Sequence, residues 1–153
     1  MGIRKIHWPD YKWQAHPHLD PALHEVDFAL YKWAVWMRLY AKARGLSIEQ
    51  MFGMGMMSGT AATARWVPKQ QQWVDLAIAA LYRKHKDIAK LLYAHYIDGL
   101  NPNDGSDRLN ISRQTFIFRL RCARYAIMGA LTVMQSENLN DRASNIHRKK
   151  DKK

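Results

Sequence analysis

The residues best suited to chemistry stand together at 111–121, where Ser112, Arg113, Gln114 and Thr115 are followed by Phe116, Phe118, Arg119 and Arg121. Ser112 is a good helix N-cap, because its hydroxyl can accept a bond from an unpaired N–H of the first turn. Arg113, Gln114 and Thr115 fill that turn, where a recognition helix presents side chains to base edges in the major groove. Arg pairs bidentately with guanine and Gln with adenine. A helix N-terminus also favours a phosphate. From Phe116 onward Leu120, Ala123, Ile127, Leu131 and Met134 recur at spacings of three and four, which gives one side of the helix to a core. Gln114, Phe118, Arg121 and Tyr125 project to the opposite side, with Arg113 and Arg124 flanking the stripe. A Ser cap, a polar first turn and then a core-facing Phe is the pattern of the second helix of a helix-turn-helix. The alternative is a core helix with a solvated basic face. On the first reading Ser112, Arg113, Gln114, Thr115, Phe118, Arg119 and Arg121 bind DNA.

The charge balance suits that partner. Lys and Arg number 24 against 13 Asp and Glu, a net charge of +11. Such an excess fits DNA, RNA or an anionic membrane surface, and argues against carboxylate-rich metal nuclease centres. The C-terminal Arg148, Lys149, Lys150, Lys152 and Lys153 would add sequence-independent phosphate attraction, or serve only for solubility.

Other chemistries fail on spacing. His24 and Glu25 begin a zincin-like motif, but Phe28 stands where its second histidine belongs. His16 and His18 flank Pro17 in an irregular arm, a poor base for fixed metal geometry. The 101–107 stretch lacks the Gly and the bidentate Glu of a calcium loop. No P-loop, nucleophile elbow or dinucleotide fingerprint occurs. Cys122 is the single cysteine, so neither an intrachain disulfide nor a multi-cysteine zinc site can form. Neither an enzyme nor a cofactor or metal is expected.

The elements that must position these residues are helical. Asp20 and Pro21 start the longest expected helix, 21–44, with Leu23, Leu30, Trp33, Met37 and Tyr40 at helical spacing and Gly45 as the stop. Trp33 is expected to be buried against the helix carrying Trp73. Ser47 and Gln50 fit a capping box, so a short helix begins at Ile48. It runs into three glycines within residues 53–59. Met51, Met54, Met56 and Met57 there either cover the core or dock a protein partner. A helix at 70–85 has Trp73, Leu76, Ala77, Ala80 and Leu81 as its apolar stripe. A third at 87–98 uses Ile88, Leu91, Leu92, His95 and Tyr96 and ends at Gly99. At 101–107 Asn101 and Pro102 can start a helix, but Asn, Asp and Gly are poor in helix interiors, so a loop or one frayed turn reads equally well. The last helix runs from Ser112 to about residue 135. No segment alternates long enough for a strand, and no repeat is visible. The expected fold is all-α: an irregular arm at 1–19, one helical domain of about four main helices with a helix-turn-helix-like element at 20–137, and a basic disordered tail at 138–153.

No apolar run is long enough to cross a bilayer: Arg38 breaks the stretch at 33–40. The N-terminus lacks the apolar run of a signal peptide, which points to a cytoplasmic location.

The order of motifs resembles the small late-gene antitermination proteins Q of lambdoid phages, in the branch without a zinc finger. Trp33 and Trp36 are similar to that family's Trp-x-x-Trp. The segment 74–81 is followed by the helix from Ile88 to Tyr96. Tyr96 and Gly99 are similar to its Tyr-x-x-Gly, and Gly99 to Ser112 spans 13 positions, like the family's spacing from that Gly to the Ser of the recognition helix. The similarity continues through Ala123, Ile127 and Leu131 and covers about residues 28–131. The resemblance implies a bacterial-host protein that binds double-stranded DNA at a late promoter, in one or two copies. It implies loading onto paused RNA polymerase with its σ factor, and suppression of terminators at the RNA exit channel, beside the nascent RNA. A helix-turn-helix late-promoter activator and a small terminase subunit for DNA packaging are the alternatives.

Overall fold

In the computed structural model, residues 19–58 and 67–151 are described, with backbone alone for 147–151. They form an all-α fold. The Oδ1 of Asp20 accepts a bond from the Ala22 N–H at 3.0 Å, and a single 3-10 turn, Pro21–Leu23, leads into helix α1, His24–Arg44. Glu25 and Asp27 lie in its first turn and Lys42 and Arg44 in its last, the signs that a helix dipole favours. Gly45 ends it at φ 65°, and the Leu46 N–H bonds back to the Ala41 carbonyl at 3.0 Å. Leu23, Leu30, Trp33, Met37 and Tyr40 are all buried as expected, and Asp27 is buried among them.

Helix α2, Ile48–Met51, opens on the full capping box: Ser47 Oγ accepts from the Gln50 N–H, and Gln50 Oε1 accepts from the Ser47 N–H, both at 3.1 Å. Tight turns follow through Ser58. Gly53 has φ 78°, and a Cβ there would fall 2.6 Å from the Tyr82 ring. Only glycine meets both conditions.

Helix α3, Lys69–Lys84, differs from its expected orientation. Gln71, Gln72, Val74, Asp75, Ala77, Ile78 and Ala79 are buried, so Ala77 of the expected stripe is buried, whereas Leu76 is 43% exposed and Trp73, Ala80 and Leu81 are only half buried. The expected stripe is rotated because Asp75 points inward. Its carboxylate accepts from Trp33 Nε1 at 3.0 Å and from the Met57 N–H at 2.9 Å, so the buried charge has two donors. Trp33 is thereby locked to α3, as expected from the helix carrying Trp73.

Helix α4, Lys86–Leu92, widens into a π turn, Tyr93–Ile97, in which the Asp98 N–H reaches the Tyr93 carbonyl at 3.1 Å. Of the two alternatives for residues 101–107 the helix forms: an eight-residue helix, α5, Pro102–Leu109. Asn101 caps it through the Asp104 N–H at 2.8 Å, Pro102 pre-sets the first turn, and the small Gly105 and Ser106 are buried. Helix α6, Arg113–Asp151, continues 16 residues past the expected end. The tail expected to be disordered from 138 is helical through Asp151. Residues 130–151 contain no Gly or Pro to stop it. From Leu139 to Ile146 every side chain is exposed, so that stretch leaves the domain as a bare helix.

The shared core lies between α1, α3, α4 and α6, with Trp33, Met37, Ile78, Leu92, Phe116 and Ile127 fully buried. Among the described residues no helix is long and apolar enough to cross a membrane.

Burial raises the pKa of Asp75 above its ordinary 3.8, against the lowering influence of the Trp33 and Met57 bonds. A group raised by folding contributes stability below its unfolded pKa and loses it as pH climbs through the folded value. The Asp75 contribution therefore declines upward from pH 3.8. Asp75→Asn removes that slope, and its single amide oxygen can serve only one of the two donors, at a cost of about 1–3 kcal/mol. Urea midpoints across roughly pH 3.5–6 should show the gap between parent and variant narrowing as pH rises. A gap that widens contradicts this assignment.

Candidate nucleic-acid interface

The end of α5 sets the start of α6. Asn110 adopts the left-handed conformation at φ 56°, a position where Asn is tolerated after Gly. The Ile111 N–H then bonds the Ser106 carbonyl at 3.0 Å, closing α5. Across this turn Gly105 meets Phe116 so closely that a Cβ would lie 2.5 Å from the ring. Phe116 is fully buried and meets the His95 ring edge-on at 6.4 Å. The outcome is two consecutive helices joined by Asn110, Ile111 and Ser112.

Ser112 Oγ accepts from the Thr115 N–H at 3.0 Å and donates to Thr115 Oγ1 at 2.7 Å. These two hydroxyls engage each other, so Ser112 and Thr115 hold the first turn and Arg113 and Gln114 are the exposed pair beside it. Gln114, Phe118, Arg121 and Tyr125 follow at steps of four, three and four, all exposed on one stripe. Arg119 is half buried at its edge. Tyr125 closes the stripe by donating its hydroxyl to Asp20 Oδ2 at 2.8 Å. The backbone bond from Ala22 and this phenol hold the Asp20 carboxyl below its ordinary pKa.

Arg124 is not a surface flank. It is buried, with Nε donating to the Tyr96 hydroxyl at 2.8 Å and Nη2 lying 3.3 Å from Asp27 Oδ1. Tyr96 passes its own proton donation on to the same Asp27 oxygen. Burial keeps the Tyr96 phenol well above its ordinary pKa, so it remains a donor. His95 completes the group. Its Nδ1 faces the Leu100 carbonyl at 2.9 Å, and a carbonyl only accepts, so Nδ1 carries the proton. Nε2 then accepts from Arg124 Nη2 at 3.4 Å. This network ties α1, the π turn and α6. A signal for it exists in the sequence. Asp27 lies four residues after Leu23 and three before Leu30, while Arg124 lies four after Leu120 and three before Ile127. Opposite charges on two core stripes call for each other.

The remaining candidates divide. Met51 and Met57 are fully buried in the core, Met57 with its N–H on Asp75, so neither side chain is open to a partner. Met54 is 65% and Met56 36% exposed. Leu76 lies beside them, its Cδ2 within 3.7 Å of a Cβ built on Gly55. Side chains of Arg148, Lys149 and Lys150, and all of Lys152, Lys153, His16 and His18, lie outside the described residues. Among the described residues no three His, Cys, Asp or Glu side chains are grouped to hold a metal.

Within a helix Gly→Ala ordinarily gains about 0.5–1 kcal/mol. At Gly105 the Phe116 ring opposes it, and overpacking costs about 1–3 kcal/mol. Gly105→Ala should therefore lower stability and displace the start of α6, measured by urea unfolding and by amide shifts of residues 112–116. A variant more stable than the parent would show that the contact yields.

Compared with protein-family models, with curated proteins and with solved structures, the chain finds no match.

Proposed function

We propose that this chain is a DNA-binding transcription antiterminator of the kind its sequence resembles, a protein without chemistry of its own. The observation that supports this best is the unit of α5, its Asn110 turn and α6, with Gly105 closed on Phe116 and Arg113 and Gln114 exposed at a capped helix start. In the major groove that first turn directs Arg113 to a guanine edge and Gln114 to adenine. The helix N-terminus favours a phosphate there, which sets the register. The net charge of +11 supplies the sequence-independent attraction, and Arg148, Lys149, Lys150, Lys152 and Lys153 add to it.

From the DNA the protein passes to a paused RNA polymerase that retains its σ factor. Met54, Met56 and Leu76 form an apolar surface away from the DNA-facing turn in sequence, suited to docking on polymerase. The basic helical body then narrows the RNA exit path, and a terminator hairpin cannot fold there.

Transcription in vitro across a terminator, with cognate host polymerase and a late-promoter template, tests this. Wild-type protein should raise readthrough. Arg113→Ala should weaken specific DNA binding by about 1–3 kcal/mol and reduce readthrough at limiting protein. Readthrough that fails on every late-promoter template overturns the proposal. Stimulated initiation alone would then indicate an activator, and assembly into large rings a packaging subunit.

Replacing Met54 and Met56 with Ser should separate the two surfaces. Both side chains are exposed, so stability should change by less than about 0.5 kcal/mol. DNA binding should be retained and readthrough lost. Unchanged readthrough would remove this surface from the docking role.

A further inference from the structure

Phe118 is 64% exposed, between Gln114 one turn before it and Arg121 one turn after. Folding does not require an aromatic at this place. Phe116 and Leu120 already supply the buried side of this turn. Its neighbours at helical spacing are Gln114, Thr115, Arg121 and Cys122, of which the exposed ones, Gln114 and Arg121, are polar or cationic. An apolar side chain inside a polar and cationic border fits a surface that is itself mostly polar and anionic but carries an isolated apolar group.

The major groove of DNA has one such group, the 5-methyl of thymine. The deep, narrow major groove of duplex RNA does not admit a side chain to its base edges. We propose that Phe118 packs against a thymine methyl, so that α6 reads thymine by contact beside the bases that Arg113 and Gln114 read by hydrogen bonds. The inference rests on α6 being a DNA recognition helix. At a rise of 1.5 Å per residue, the four residues from Gln114 to Phe118 advance about 6 Å along the helix, or about two base pairs. The thymine therefore falls within about two base pairs of the adenine that Gln114 meets.

The test starts from a duplex that the wild-type protein enriches from a random-sequence library. Each thymine is replaced singly by deoxyuridine, which removes only the methyl. One replacement should weaken wild-type binding about fourfold, the worth of one buried methyl-sized group. Phe118→Ala should bind the thymine and deoxyuridine duplexes equally, while Gln114→Ala keeps the difference. Phe118→Leu, an apolar replacement, should retain part of it. Specific wild-type binding with no sensitive thymine overturns the inference and leaves DNA reading intact. So does a Phe118→Ala protein that keeps the full thymine preference, or one whose defect is loss of self-association measured by sedimentation. If no sequence is enriched at all, the DNA-binding reading fails, and the thymine contact fails with it.

Discussion

Everything on the outer face of α6 depends on one buried ion pair, Arg124 with Asp27, and on the phenol that bridges it. Removing two charges from water is costly, and a lone buried charge costs several kcal/mol more than a pair. The pair is tolerable because each polar group has partners. Arg124 donates to Tyr96, Asp27 and His95; Tyr96 donates to Asp27; and His95 is oriented by the Leu100 carbonyl. Such a network fixes one geometry, because a rotated α6 would leave the guanidinium or the carboxylate unsatisfied. The rotation of α6 about its axis is thereby set, and with it which residues face outward.

Two features make that network possible. The π turn of Tyr93–Ile97 adds a residue to the last turn of α4, bringing Tyr96 to Arg124 with His95 beside it. Arg38 secures the same turn from α1 by donating to the Ile97 carbonyl. On the far side, the missing side chain of Gly105 lets α5 settle against Phe116. Rotation and position of the first turn of α6 are thus governed by separate contacts. The exposed Arg113, Gln114 and Phe118 are carried on a helix whose inward face is held by Phe116, Leu120, Ala123, Arg124 and Ile127.

Helices with strong punctuation were legible from residue types alone. Asp20 with Pro21, the Gly45 stop and the Ser47 capping box appear where their chemistry puts them. The outward stripe of Gln114, Phe118, Arg121 and Tyr125 was equally readable, since it follows from spacing. What failed has a common cause: polar residues in the interior. Asp75 has no place in the stripe expected for α3, because the donors that satisfy it come from Trp33 and Met57, distant in sequence. The burial of Arg124, expected only to flank the stripe, likewise depends on partners distant in sequence, Asp27 and Tyr96. The α5 helix was obscured by Gly105 and its Asn and Asp neighbours, whose low helix propensity is offset by the Asn101 cap and by packing on Phe116. The buried Met51 and Met57 could not be told from the exposed Met54 and Met56, since glycine-rich turns carry no periodicity.

The central claim is that the first turn of α6 is where this protein meets DNA. Amide chemical shifts of the isotope-labelled protein, followed during titration with a promoter-proximal duplex, test it most directly. The largest changes should fall at Arg113, Gln114 and Phe118, with α3 unaffected. Changes confined to α3 or to residues 139–151, with the start of α6 unmoved, would contradict it.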